Sequence, residues 1–236
     1  MKKSSILVIG SFAVILVCLM FAVDCSSNDN STNTNPPVTV TVKDIDSNLY
    51  HTVTIGTQVW MVENLKTTRY RNGESIANVT DNTLWSTLTT GAYCNYENTA
   101  NNAATYGCLY NWFAIKDSRN IAPTGWHVST DADWSALLTY LGGSSSAGIK
   151  LKEKGTTHWT TPNTGATNSS GFTALPAGRR ITAGDFSDVK TYGYWWSSTE
   201  NSASNAWGRT MSYTNNTVSS YDRAKSYGLS VRCVKD

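Results

Sequence analysis

Charge is what this chain lacks most. Only 15% of its 236 residues are Asp, Glu, Lys or Arg, against about a quarter in an average globular protein. The 19 basic and 17 acidic side chains nearly cancel at +2, leaving no excess of positive charge to neutralise a phosphate backbone, so nucleic acid is not an expected partner. Histidine is scarcer still: His51, His127 and His158 stand far apart, in no H-E-x-x-H or other metal-ligand spacing. G-x-S-x-G, a glycine-rich phosphate loop and a cysteine-histidine signature are all missing. No heptad pattern and no repeat at solenoid or propeller period is present, which excludes a coiled coil and a repeat array. With one long apolar run, the chain is not a multi-pass membrane protein. What it has in quantity is aromatic and small polar side chains: nine Trp and twelve Tyr among many Asn, Ser and Thr. That balance suits a secreted, aromatic-rich β or α+β domain.

The single apolar run is an address. Lys2 and Lys3 precede residues Ile6 to Val23, the basic and hydrophobic regions of an export signal. An uncleaved anchor is the alternative, because the run approaches the roughly 18 apolar residues of a spanning helix. Ala22-Val23-Asp24-Cys25-Ser26-Ser27 ends the run at a cysteine and resembles a bacterial lipoprotein signal, which implies lipidation of Cys25 and removal of the residues before it. Asp24 departs from the small residue that such signals carry there, and Cys18 is a second, poorer candidate. The implied location is the outer membrane or cell surface, with the lipid as the membrane attachment. Residues 26–38, nearly all Asn, Ser, Thr, Asp and Pro, have nothing to bury against the entropy of ordering them and read as a solvated tether.

Residues 39–236 read as one domain. Val38, Val40 and Val42 alternate with polar residues, and Tyr50, Thr52 and Thr54 alternate with His51, Val53 and Ile55, so an opening hairpin is expected. Asp44, Asp46 and Asn48 between them have the spacing of a calcium loop's first ligands, but the glycine and distal glutamate are missing and turn chemistry explains them. The strongest helix runs from Thr130 to Leu141: Thr130 and Asp133 form a capping box, Trp134, Leu137, Leu138 and Leu141 make one apolar stripe, and Gly142-Gly143 ends it. A shorter helix is expected from Leu109 to Ile115, and strands at Tyr192 to Ser197, Ala206 to Tyr213 and Gly228 to Val234.

Five strings occur in order: Ile55-Gly56-Thr57-Gln58-Val59-Trp60-Met61-Val62-Glu63-Asn64-Leu65, Tyr106-Gly107-Cys108-Leu109-Tyr110-Asn111-Trp112, Pro123-Thr124-Gly125-Trp126-His127-Val128, Trp196-Ser197-Ser198-Thr199-Glu200 and Ser230-Val231-Arg232-Cys233-Val234. Together they resemble the Fibrobacter succinogenes major paralogous domain, a family of exported, often lipid-anchored bacterial proteins. The resemblance spans nearly all of the chain after the tether and implies no established activity. The tryptophan-rich strand and the final Val-Arg-Cys-Val strand also look like a C-type-lectin-like architecture, so the fold class expected is α+β of that kind, with short antiparallel strands, two helices and long loops. The lectins' calcium-dependent sugar motif is absent, since Thr161-Pro162-Asn163 lacks the leading Glu or Gln and no Trp-Asn-Asp follows. The active cysteine pair of the formylglycine-generating enzymes, which resemble the same fold, cannot be assigned. The resemblance implies a disulfide between Cys94 and Cys233, worth about 2–5 kcal/mol; Cys94 to Cys108 is the alternative, and an anaerobic source would leave all three as thiols.

For function, the leading expectation is a non-enzymatic, surface-anchored binding or adhesion module for polysaccharide or a cell-surface protein. Its surface is placed on Trp195, Trp196, Trp207, Arg209, Glu200 and Asp222, because exposed indoles stack on the apolar faces of sugar rings. Trp195 and Trp196, adjacent in a strand, point to opposite faces, so one is expected inside and the other on show. Arg209 and Arg232 are placed to stack on these rings or to pair with Glu200 and Asp222. No cofactor is expected; calcium is the one candidate, without a motif to hold it. A structural envelope lipoprotein is the second expectation. A glycan-active enzyme using carboxylates such as Asp185, Asp188, Glu200 or Asp222 is the third.

Overall fold

The computed structural model describes residues 39–236, so the signal sequence, Cys18, Cys25 and the tether lie outside the described residues. The opening hairpin forms as expected from β1 (Thr39–Lys43) and β2 (Leu49–Ile55), with Lys43 opposite Leu49. Asp44 builds its turn. Its Oδ1 accepts the backbone N–H groups of Asp46 and Asn48, each at 2.9 Å, and its Oδ2 accepts the Asn48 amide at 2.8 Å and the buried Tyr50 hydroxyl at 2.6 Å. Asp46 in turn accepts from Thr67, Thr68 and Arg69. Both carboxylates are thus committed to protein donors, which is what the turn reading requires.

β3 (Gln58–Met61) pairs with β2 across a tight turn in which Gly56 has φ +64°. A small sheet of β4 (Ala77–Asn78), β5 (Ala92–Cys94) and β6 (Leu109–Tyr110) follows, accompanied by α1 (Asn82–Ser86), α2 (Ala100–Tyr106) and α3 (Trp112–Lys116). The helix expected from Leu109 begins only at Trp112. Asn111 caps it by accepting the Ala114 N–H at 3.1 Å, whereas Leu109 and Tyr110 pair with β5. After β7 (Trp126–Val128) comes α4 (Asp131–Tyr140), where the capping box of Thr130 and Asp133 is complete and the predicted stripe is buried.

The Ser-rich α5 (Ser144–Leu151), which no periodicity announced, packs its Ala147, Gly148 and Leu151 inward. Its Gly148 lies against the backbone of Asn216, where a Cβ would come within 2.6 Å of the carbonyl oxygen. Then come β8 (Arg179–Arg180), β9 (Phe186–Ser187), β10 (Tyr192–Glu200), β11 (Asn205–Ser212), β12 (Val218–Ala224) and β13 (Cys233–Lys235). Of the strand expected over Gly228 to Val234, only its end joins a ladder; Leu229 and Ser230 make single bridges to Tyr110 and Trp195.

The result is an α+β domain. One sheet has the order β1-β2-β3-β13-β7, so the last strand closes against the first hairpin, and β10, β11 and β12 form a separate antiparallel sheet. α4 covers one face of that second sheet through a core that contains Trp60, Trp134, Phe172 and Trp195; a second core with Tyr110, Trp112, Trp196 and Leu229 covers the other. Eight of the nine tryptophans are buried, seven of them in these two cores and Trp85 in a smaller cluster. Among the described residues no helix is long and apolar enough to cross a membrane.

The expected Cys94–Cys233 disulfide is not formed: Cys94, Cys108 and Cys233 are all free and buried. Cys94 packs with Trp85, Tyr96 and Leu109 in a small cluster of its own, while Cys233 belongs to the large core around Tyr110 and Trp196. The alternative partner fails for a related reason. Leu109 is the residue opposite Cys94, so Cys108, one position earlier, packs into the core on the other side of the small sheet.

Candidate ligand-binding surface

The six residues assigned to binding do not form one surface. Trp195 and Trp196 do point to opposite faces, but neither is presented, because both faces of the sheet are covered; each indole is fully buried. Trp195 donates to Asn64 Oδ1 at 2.8 Å and Trp196 to the Tyr110 carbonyl at 2.9 Å. Arg209 is also buried and pairs with Asp131 in the first turn of α4 at 2.5 Å, not with Glu200 or Asp222. Arg232 is fully buried as well, its guanidinium donating to Asn64 Oδ1 and to the Met61 and Phe172 carbonyls.

Glu200, exposed, pairs with the buried Lys225, whose ammonium also lies 4.7 Å from the Trp112 ring centre. Half-buried Trp207 sits opposite Asp222 in the β11–β12 ladder, and Asp222 accepts the Asn205 amide at 2.7 Å. Only this last pair and Glu200 remain near water, a small part of the predicted surface. The histidines each face a carboxylate: His51 on Glu63, His158 on Glu153, and His127 between Asp133 and Asp236. Among the described residues, no group of three or more His, Cys, Asp or Glu is placed to hold a metal ion.

A different aromatic is offered to solvent. Tyr140, the last residue of α4, is 66% exposed and is the sole exposed aromatic among the described Trp, Tyr and Phe. The reason lies in the helix. At 100° per residue Tyr140 falls roughly 110° round from the stripe of Trp134, Leu137, Leu138 and Leu141, so burying the stripe leaves this ring on the flank.

The ring is seated against the β2–β3 turn. A Cβ on Gly56 would lie 3.0 Å from two of its ring carbons, and the positive φ of Gly56 independently disfavours a side chain there. The turn is tied to α4 by Gln58, which donates to Asp133 Oδ1 at 3.0 Å. From α5, Lys150 donates to the Leu141 carbonyl at 3.0 Å, satisfying an orphaned acceptor at the end of α4.

On either side of Tyr140 runs a groove. One, of about 450 Å³, is lined by Thr54, Ile55, Leu141, Lys150, Ser169 and Ser170; the other, of about 320 Å³, by Ile55, Gly56, Thr57, Gln58 and Ala136. Both volumes fall within the roughly 300–1,000 Å³ typical of small-molecule sites. An aromatic plane flanked by hydroxyl, amide and ammonium groups can stack on an apolar ring face while polar neighbours meet its substituents.

Two further buried cations, like Arg232, are structural. Lys152 places its ammonium on the carbonyls of Thr164, Ser212 and Asn215 at 2.8–3.1 Å, and Arg180 lies 4.4 Å from the Trp85 ring centre while donating to Gly184 and Thr80 carbonyls. Backbone oxygens replace water around all three, which is how a chain with few carboxylates can keep charge inside.

The family model described as the Fibrobacter succinogenes major domain matches residues 53–235. No curated protein and no solved structure matches the chain.

Proposed function

The chain belongs to the Fibrobacter succinogenes major domain family, and on that footing we propose that it is a non-enzymatic, surface-anchored binding or adhesion module for polysaccharide. A C-type-lectin-like architecture is part of this reading, as an analogy of fold only. A lipid on Cys25 would provide the anchor, and the polar residues 26–38 the reach from the outer membrane or cell surface to the ligand. No cofactor takes part.

One observation supports the reading above others: Tyr140, with its ring open to solvent, seated against Gly56 and flanked by two grooves. The test is retention of the full chain on insoluble and arrayed polysaccharides, with calcium and again with a chelator. Retention in both conditions, lost in Tyr140→Ala at unchanged Tm, is the expected result. Retention on no glycan, or retention indifferent to Tyr140→Ala, would sink it, and loss in chelator alone would replace the stacking site by a metal-assisted one.

A structural envelope lipoprotein is the second reading, favoured by the burial of eight of nine tryptophans. It expects no glycan retention and a large loss of stability from truncating any of those eight.

A further inference from the structure

On the face of the β10–β11–β12 sheet away from α4, four tyrosines and two arginines form a second cluster. Tyr192 and Tyr194 stack with ring centres 5.7 Å apart, and Tyr194 meets Tyr221 edge-on at 6.0 Å. Arg179 lies over Tyr194 at 4.8 Å and Arg223 over Tyr221 at 4.6 Å. Both guanidiniums also flank Tyr227, at 5.8 and 6.0 Å, so their central carbons are less than 12 Å apart. All but Tyr194 are only partly buried.

The two arginines differ in one respect. Arg179 already holds a carboxylate: Asp188 Oδ2 accepts its Nε at 2.9 Å and the Tyr194 hydroxyl at 2.9 Å. Arg223 repeats the stack, yet among the described residues no carboxylate lies within ion-pair distance of it, and its Nη1 donates to the Asp222 backbone oxygen at 3.0 Å. The Asp222 carboxylate lies on the opposite face of the strand, where its Oδ2 accepts from Asn205 and Asn201. Stacking holds the guanidinium in place, so little further freedom is lost when its planar fork takes a carboxylate. Tyr221, under the guanidinium, and Tyr227 beside it are only partly buried, so apolar ring surface lies next to the fork for the sugar that carries the acid.

We propose that Arg223 is a carboxylate-recognition site for an acidic, uronate-bearing polysaccharide, doing for the ligand what Arg179 does for Asp188. The inference rests on the polysaccharide reading but uses a different surface from Tyr140, so the two fail separately.

The experiment compares the full chain binding polygalacturonate and its methyl ester at equal ionic strength, by calorimetry. The wild type is expected to prefer the free acid, and Arg223→Gln to weaken that binding roughly tenfold, with ester binding and Tm unchanged. Arg223→Lys, which keeps the charge but not the fork, should recover little of the loss. Tyr140→Ala should weaken both polymers together and leave the acid-to-ester ratio intact. No binding of the acid, equal binding of acid and ester, an acid affinity unaltered in Arg223→Gln, or inorganic polyphosphate bound as tightly as polygalacturonate would each overturn the proposal.

Discussion

Asn64 Oδ1 lies 2.9 Å from Arg232 Nη2, joining positions 168 residues apart at the centre of the domain. The same oxygen accepts the Trp195 indole at 2.8 Å and Arg232 Nε at 3.2 Å, while the Asn64 amide donates to the Tyr106 carbonyl at 2.8 Å. One buried carboxamide therefore links the hairpin sheet, the small sheet's helix and the tryptophan strand. Three of the strings that mark the family, those containing Asn64, Tyr106 and Arg232, meet there. Burial pulls the Arg232 guanidinium down to about 9, because the charge has lost its water.

Asn64→Ala is accordingly expected to cost roughly 3 kcal/mol, since it strands a buried indole N–H and two guanidinium donors at once. Urea unfolding of the full chain measures it. A loss below about 1 kcal/mol would mean that water enters and replaces the amide.

The seat of Tyr140 can be tested apart from the ring. Gly56→Ala forces a side chain into the left-handed region and within 3.0 Å of the Tyr140 ring. We expect a stability loss of about 1–2 kcal/mol together with weaker glycan retention, because the ring must move to make room. Retention at full strength in a variant whose Tm has fallen would show that the ring needs no such support.

The thiols make a pH-dependent prediction. Burial pushes Cys94, Cys108 and Cys233 each up from 9 to about 12. A folded-state value above the unfolded one means that the native thiol holds its proton more tightly, so this contribution to stability is fully present below pH 9 and is lost as the pH climbs from 9 towards 12. Alkylation at pH 8 followed by peptide mapping should find all three unmodified in the native chain and all three labelled in denaturant. Recovery of a linked Cys94–Cys233 peptide would restore the disulfide, and labelling of any of them in the native chain would show it is not buried.

Local patterns translated well where the physics is local. The opening hairpin, the turn at Asp44 and the capped helix after Thr130 need only alternation, turn chemistry and a capping box, all of which act within a few residues. Leu109 shows the limit. Its spacing to Trp112 and Phe113 is helical, but pairing with Cys94 in the small sheet took it out of the helix.

The binding surface was less legible, because exposure depends on what covers an element. Alternation correctly put Trp195 and Trp196 on opposite faces of a strand, but nothing local says that helix α4 lies on one face and the Trp112 core on the other. Tyr140 carried a signal all the same: it sits in the helix but off the apolar stripe. Arg223 carried none, since its missing partner is a fact about every carboxylate around it.

The sequence by itself determined the chain's low charge, the family strings, the capped helix and the turn at Asp44, because each depends on residue type and short spacing. Only the tertiary structure decided which aromatics are buried, that Cys94 and Cys233 stay apart, and that Arg232 finds its oxygens on Asn64, Met61 and Phe172. Those outcomes turn on contacts between segments far apart in the chain, and contact, not composition, sets what a side chain loses in water and regains from its neighbours.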